Sequence, residues 1–344
     1  MDLPKCSVIV LNWNGKEHLD ECFSSVLACN YPQEKLEVIM VDNASTDGSV
    51  EFVKANFPAV RVLALDKNYG FSVGNNRGVE ISTGDYVLIL NNDLKVDKDW
   101  LVELMKVMLA DESIAVCGSK VMDYRNPKMI QYAGAYLDIT GAPYHVGSGE
   151  TDRGQYDQVK EVFYALDCSA LYRRSAISKL KYFYDPTFFF NCEETDLCWR
   201  LKYLGYKVLY VPKSVVFHKG GASSSKAATL MTYYLYRNKI WMFKKNLRPP
   251  LRQILLSLVM ARTFAVILYR MLLGQWKFGF KVLKHAFDKV EPGVDMSKIS
   301  FRQQLVYLSP PLLGKYLQYL TKVDTYERRA DQIARSEFSP ATNR

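Results

Sequence analysis

The sequence predicts an α/β protein with a mostly parallel central sheet, followed by a helical C-terminal region. Three observations carry this reading. Short apolar runs alternate with helix-period segments as far as Val121, polar loops follow those runs, and after about Ser225 the composition shifts to Tyr, Trp, Leu and basic residues. With 344 residues, 49% of them apolar, the chain can form one large α/β domain plus an appendage.

Residues 7–11 read as a buried strand and 16–29 as a helix. The same pair recurs as strand 36–41 with helix 47–56, strand 60–65 with helix 71–81, and strand 86–90 with helix 97–110, before a strand at 114–121. Runs this short, separated by helical segments, are strands covered on both faces of a parallel sheet. From Met122 to about Tyr184 the chain is turn-rich and is expected to form mixed strands and loops over one edge of the sheet. Residues 193–204 read as a helix closed by Gly205, and 207–211 and 215–218 as two short strands. The α/β domain is thus expected over 1–225, a basic amphipathic helical region over 226–325, and a polar, frayed tail over 326–344.

Composition narrows the setting. Cysteines at 6, 22, 29, 117, 168, 192 and 198 are odd in number and sit mostly in apolar runs, so they are expected to be free core thiols of a reducing compartment. The start Met1-Asp2-Leu3-Pro4-Lys5 runs straight into an apolar strand and does not read as a secretory leader. No run of about eighteen uncharged apolar residues occurs, so no transmembrane helix is expected.

In a parallel sheet the loops after the strands converge on one crevice. Here those loops are Asn12-Trp13-Asn14-Gly15, then 42–49 from Asp42 to Ser49, then Asp66-Lys67-Asn68-Tyr69-Gly70-Phe71, then Asn91-Asn92-Asp93. Singly, Asp47 or Ser45 suits a helix cap and Gly15 or Gly70 an ordinary turn; four polar loops on one edge suit a ligand. Neither a P-loop nor a Gly-x-Gly-x-x-Gly turn is present, which excludes those phosphate sites. What remains is a carboxylate for a nucleobase, Asp42, and a carboxylate for a metal, Asp93.

These motifs resemble family 2 glycosyltransferases. The resemblance rests on Cys6 to Asn14, Val41 to Ser49, Asn68-Tyr69-Gly70-Phe71 with Asn75-Asn76-Arg77-Gly78, the acidic turn 91–93, Asn191 to Arg200, and Phe217-His218 with Gly221. The motifs stand in family order over roughly residues 5 to 220, and within the family they look most similar to the rhamnosyltransferase-like branch. The resemblance implies a GT-A fold and an inverting transfer of sugar from a nucleoside-diphosphate donor, dTDP- or UDP-linked. The acceptor would be a hydroxyl of a polysaccharide or lipid-linked glycan. It places the nucleotide against Leu11, Asn12, Trp13, Asn14, Asp42, Asn68, Gly70, Asn76 and Asn92. It implies a divalent metal, Mg²⁺ or Mn²⁺, on Asp93 and His218, and a general base at Glu194, with Asp196 as the alternative. Two departures stand out: the turn Asn91-Asn92-Asp93 keeps one aspartate where the family usually has two, and Glu194 stands where aspartate is common. The first leaves open a non-catalytic sugar-nucleotide-binding scaffold of an envelope-assembly complex.

The net charge of +9 is uneven. From Lys219 to Phe287 there is no acidic residue and there are 13 basic ones. At about 100° per residue, Arg252, Arg262, Arg270, Lys277, Lys281 and Lys284 fall within roughly a 100° arc of a helical wheel, beside a broad apolar face. That pattern suits a helix on an anionic membrane surface, and predicts a cytoplasmic protein peripheral to the inner face of the cytoplasmic membrane. Nucleic acid is not an expected partner, because no binding motif accompanies the charge.

Overall fold

A computed structural model describes residues 2–220, 225–272 and 276–306. Gly221, the side chains of Lys226 and Lys277, and the tail 326–344 lie outside the described residues. The chain divides into two compact units: residues 1–136, 145–222 and 292–296 form the first, and 137–144, 223–291 and 297 onward the second.

The strands are β1 (Cys6–Asn12), β2 (Leu36–Asp42), β3 (Val60–Ala64), β4 (Tyr86–Asn91), β5 (Leu94–Val96), β6 (Ile114–Asp123), β7 (Ile130–Tyr132), β8 (Ala135–Leu137), β9 (Pro143–His145), β10 (Lys160–Glu161), β11 (Ser169–Arg173) and β12 (Lys207–His218). The helices are α1 (Lys16–Leu27), α2 (Ser49–Asn56), α3 (Gly70–Ile81), α4 (Trp100–Ala110), α5 (Arg174–Ile177), α6 (Glu193–Tyr203), α7 (Ser225–Asn246), α8 (Leu251–Leu272), α9 (Trp276–Ala286) and α10 (Phe301–Val306).

In the first unit the central sheet runs β10-β12-β6-β11-β4-β1-β2-β3, with β5 on β12 and β7 on β6. The β4-β1-β2-β3 half is parallel throughout, as the alternating pattern predicts. Its β1 and β4 are buried almost end to end, which their unbroken apolar sequences require. Helix α3 lies close on β1 and β2 because it presents glycines: a Cβ on Gly78 would sit 2.5 Å from Ile9 Cγ2 and 2.9 Å from Val41 Cγ2.

The other half departs from expectation twice. The turn-rich middle does not stay over one edge: β11 inserts between β4 and β6, antiparallel to both. It is a five-residue strand, buried up to its last residue, Arg173, which caps the core by donating from Nε to the Ile114 carbonyl at 2.8 Å. The two short strands expected at 207–211 and 215–218 are one strand, β12, with a register shift between Val211 and Val215 against β6. Pro212 lies within the shift; it has no N–H for a ladder, and a bulge accommodates it. All seven cysteines are unpaired, five of them buried, as their apolar settings predict.

In the second unit α7, α8 and α9 pack on one another around Tyr233, Tyr236, Ile267 and Val282. The cations do not form the single outward stripe drawn from the helical wheel: Lys281 and Lys284 of α9 are exposed, but the arginines of α8 turn elsewhere. Arg270 is buried, and Arg262 turns to the buried Asp138 at 3.6 Å and donates to Thr140 Oγ1 at 3.0 Å. Arg237 stacks over Trp241 at 4.1 Å, and Lys281 over Tyr233 at 4.3 Å. The wheel failed because the segment is two helices, α8 and α9, each with its own buried stripe. Although Arg262 and Arg270 interrupt its apolar run, α8 is long and apolar enough to cross a membrane, by length and composition only.

The close approach of α3 is open to test. Gly78→Val is expected to lower the unfolding free energy by about 1–3 kcal/mol, read from urea denaturation, because Ile9 and Val41 cannot both retreat from a branched side chain. An unchanged midpoint would contradict the tight packing.

Candidate active site

All of the polar strand-end loops lie in the first unit. β1, β2 and β4 end in register, so Asn12 stands opposite Asp42 and Leu11 opposite Asn91. The Asn12 side chain is wholly buried, and its amide joins three loops. Its Nδ2 donates to Asp42 Oδ1 at 2.9 Å and Ser45 Oγ at 3.1 Å, while its Oδ1 accepts from Asn92 Nδ2 at 2.7 Å. Gly15 makes room for this: a Cβ there would sit 2.2 Å from Asn92 Nδ2. Asp42 is also buried, and its Oδ2 accepts the Ser45 N–H at 2.8 Å. Asn12, Asp42 and Asn92 thus brace the loops against one another, with both amide hydrogens of Asn12 committed to the Asp42 loop.

The neighbouring residues are more open. Asn14 is exposed, and its Oδ1 accepts the Thr46 N–H at 2.8 Å. Trp13 is 54% exposed, an indole face free to stack on a planar ligand. Leu11 is half-buried and packs on α3, where a Cβ on Gly74 would meet its Cδ1 at 2.5 Å.

The third loop serves a different purpose from the one expected. Asn68 Oδ1 accepts from the Gly70 N–H at 2.8 Å and from Asn43 Nδ2 at 2.9 Å. Gly70 has φ +82°, and a Cβ there would lie 2.4 Å from the Phe189 carbonyl oxygen, so only glycine fits. The Phe71 N–H donates to that same carbonyl at 2.7 Å, tying this loop to the segment that leads into α6. Asn76 does likewise: its amide donates to the Tyr184 carbonyl at 2.8 Å and accepts the Tyr184 N–H at 2.9 Å. Both ends of Asn76 are spent on backbone, so it positions the 184–190 segment rather than lining a nucleotide pocket.

Asp93 and His218 are brought together by β5, which pairs antiparallel with β12 so that His218 stands opposite Leu94. His218 Nε2 is 3.3 Å from Asp93 Oδ2. Gln131 fixes the imidazole: its Nε2 donates to Asp123 Oδ2 at 3.0 Å and to the His218 carbonyl at 3.1 Å. Its Oε1 therefore faces His218 Nδ1, at 2.7 Å, and Nδ1 carries the proton. Neutral His218 would then point the lone pair of Nε2 at a carboxylate. Two acceptors at 3.3 Å repel unless a proton or a cation lies between them. Burial works against ionisation of Asp93, but a proton on Nε2, which would supply both a hydrogen bond and the charge of His218, outweighs it and holds the carboxyl below its usual range. The donor set fits a hard divalent ion, whose adjacent ligands lie about 3 Å apart when each is about 2.1 Å from the metal. Among the described residues no group of three or more His, Cys, Asp or Glu could hold a metal.

Glu194 stands in the first turn of α6 and is partly exposed. Burial pushes its carboxyl up to about 7, against the backbone N–H groups of Glu194 and Thr195, which favour the anion. Glu193 and Asp167 are buried beside it and are pushed well up by burial and by the charge of Glu194. Asp196, the alternative base, is corrected by the structure: it is fully buried, and its Oδ2 accepts from Arg200 Nε at 2.8 Å. It has no surface with which to meet a hydroxyl. The other Arg200 donors hold the carbonyls of Tyr182 at 3.0 Å and Phe183 at 2.7 Å.

Backbone strain marks the same places. Among the described residues the non-glycine positions with left-handed φ are Asn14, Ala44, Asn191 and Cys192, all in the β1 and β2 loops or just before α6.

The family model for Glycosyl transferase family 2 matches residues 7–181, half of the chain. The chain belongs to glycosyl transferase family 2. Glycosyltransferase AglE of Haloferax volcanii is 32% identical over 102 residues, 29% of this chain and 34% of that protein. Poly-beta-1,6-N-acetyl-D-glucosamine synthase of Staphylococcus aureus is 25% identical over 215 residues, 61% of this chain and 49% of that protein. The chain thus spans between about a third and a half of the length of these relatives. Among solved structures, mannosyltransferase PcManGT of Pyrobaculum calidifontis, in complex with GDP-Man and Mn²⁺, superposes with a TM-score of 0.56 at 16% identity, covering 96% of this chain and 85% of that one. S. aureus TarS 1-349 in complex with UDP-GlcNAc superposes with a TM-score of 0.55 at 16% identity, covering 97% and 92%. At such identity the superpositions establish the fold, the GT-A type expected from the motifs.

Two members of this family 2 site have no signal in the sequence. Gln131 comes from the irregular middle, and only the fold puts it behind His218. Asp167 precedes an apolar run that became β11, and its Oδ1 accepts from Tyr172 Oη deep in the core.

The raised Glu194 pKa has a stability consequence. Between about 4.5 and 7 the folded chain holds a proton that the unfolded chain has released, so stability falls as pH rises through that window. Glu194→Gln removes the penalty. Its melting temperature is expected to exceed wild type at about pH 8 and to match it near pH 4. An equal difference at both values would show that the carboxyl is not perturbed by folding.

Proposed function

We propose that this family 2 protein is an inverting glycosyltransferase that moves a sugar from a UDP- or dTDP-linked donor to a hydroxyl of a polysaccharide or lipid-linked glycan. One observation carries the donor half of this reading: Asp93 Oδ2 and His218 Nε2 face each other at 3.3 Å with Gln131 holding the other imidazole nitrogen. Asp93 and His218 would hold a divalent ion, Mg²⁺ or Mn²⁺, and the solved structure with GDP-Man and Mn²⁺ supports this. When bound, the ion neutralises the diphosphate that leaves.

The remaining steps belong to the chain. Trp13 stacks on the nucleobase, and Asn14 with the Asp42 loop borders it. Glu194, poised near neutrality, accepts the proton of the acceptor hydroxyl as its oxygen bonds to the anomeric carbon. The bond from that carbon to the diphosphate breaks on the opposite face, which inverts its configuration. Rhamnose is the favoured sugar, supported by the resemblance of the motifs to the rhamnosyltransferase-like branch. The polysaccharide synthase among the relatives supports an envelope acceptor, and with it a place at the inner face of the cytoplasmic membrane. The single aspartate of the 91–93 turn keeps a second reading in play, a scaffold that binds a sugar nucleotide without turnover.

A thermal-shift panel of UDP, dTDP, GDP and CMP with Mn²⁺, Mg²⁺ or EDTA tests the donor site. A ligand at about 100 times its Kd adds about 2.7 kcal/mol, several degrees in Tm. The expected result is a metal-dependent shift with UDP or dTDP that Asp93→Asn abolishes; no shift with any nucleotide sinks the reading. Turnover separates enzyme from scaffold. Glu194→Gln is expected to lose about 10²–10⁴-fold in kcat while keeping its nucleotide shift, and wild-type kcat should rise with pH through an apparent pKa near 7. Undiminished activity in Glu194→Gln would remove that residue as the base.

A further inference from the structure

We infer that α8 is a one-sided membrane anchor whose solvent-facing apolar surface beds into an anionic bilayer. This deepens the membrane placement proposed above; vesicle binding is read without donor or acceptor, so its failure leaves the transfer chemistry standing. The observation is the distribution of exposure along the helix. The exposed positions of α8 are 253, 254, 257, 258, 261, 264, 265, 268, 269 and 272, and none of them carries a charge. Ile254, Leu258, Phe264, Leu268 and Leu272 are between 39% and 79% exposed. A helix of a water-soluble unit ordinarily turns its charges outward. Here the order is reversed: Arg270 is buried and Arg262 is bound to Asp138 and Thr140.

A single amphipathic surface cannot explain this as ordinary core. The opposite stripe, Leu255, Val259, Thr263 and Ile267, is already packed within the unit. Each face of α8 is therefore apolar, one against protein and one against solvent.

The occupant is settled by charge. On α9, exposed Phe280 lies beside exposed Lys281 and Lys284, and exposed Phe287 follows at its end. Aromatic rings among lysines are the composition of a helix at the headgroup level. Neither α8 nor α9 contains an acidic residue, and the exposed Lys281 and Lys284 favour anionic lipid over a neutral surface. Spanning is disfavoured although α8 is long enough, because its packed side is covered by α7 and α9, which bring Arg237, Lys239, Lys244 and Lys284. Shallow, one-sided immersion satisfies both faces.

The test is cosedimentation with phosphatidylcholine vesicles made with and without phosphatidylglycerol. Wild-type protein should pellet with the mixed vesicles. The triple variant Leu258→Glu, Phe264→Glu, Leu268→Glu should lose at least about tenfold in partition while keeping its melting temperature. Lys281→Glu with Lys284→Glu should weaken binding to the anionic vesicles alone. Leu268→Cys carrying an environment-sensitive dye gives a second readout that adds no charge: its emission should brighten and shift to the blue with mixed vesicles. Wild type that binds neither vesicle, a triple variant that pellets unchanged, or unaltered dye emission overturns the anchor. So does a wild-type dimer by light scattering that the triple variant converts to monomer without any vesicle binding; that outcome would make the face a contact between copies.

Discussion

The candidate site depends on one buried amide. Asn12 ends β1 inside the protein, and its two donors and one acceptor reach the loops after β2 and β4 at once. A buried amide must be satisfied, and a buried carboxylate such as Asp42 still more so. The cheapest arrangement that satisfies both is the one in which the three strand ends close on each other. Trp13 and Asn14 are then presented outward from a rigid floor rather than from a mobile loop. Asn14 itself and Ala44 in the facing loop adopt left-handed conformations that would otherwise be avoided.

A second constraint works at longer range. β12 returns beside β6 and carries β5 on it, which sets His218 against Asp93 across 125 residues of chain. Gln131 then decides which imidazole nitrogen holds the proton. The segment before α6 is held from the other side, by Gly70 through Phe189 and by Asn76 through Tyr184. Residues expected to touch ligand thus spend themselves on placing Glu194. That division of labour suits the proposed role of Glu194 as a base, half-buried and with its carboxyl pushed up to about 7.

The second unit follows a different economy. Its Arg237, Arg262 and Arg270 are drawn inward, onto rings, Thr140 and Asp138, and several large apolar residues of α8 are left outside. Charge counted along the sequence did not reveal this, since an arginine stacked on tryptophan and one facing water look the same in a composition.

Much was legible from residues alone. Short apolar runs with helices between them determined the parallel half of the sheet, because a strand buried on both faces can have no other composition. The order of the strand-end motifs determined the family, and the position of Asp93, Glu194 and His218 within them picked out the three groups on which the proposed chemistry turns. Only the tertiary structure decided that β11 enters the middle of the sheet, that β12 is one bulged strand, that Asp196 is sealed against Arg200, and which segments Asn12 and Asn76 brace. It alone decided which way the arginines of α8 point. The reason is common to all of these. Local pattern reports which residues an element can bury, whereas the partner of a polar group is chosen by whatever distant segment the fold brings within about 3 Å.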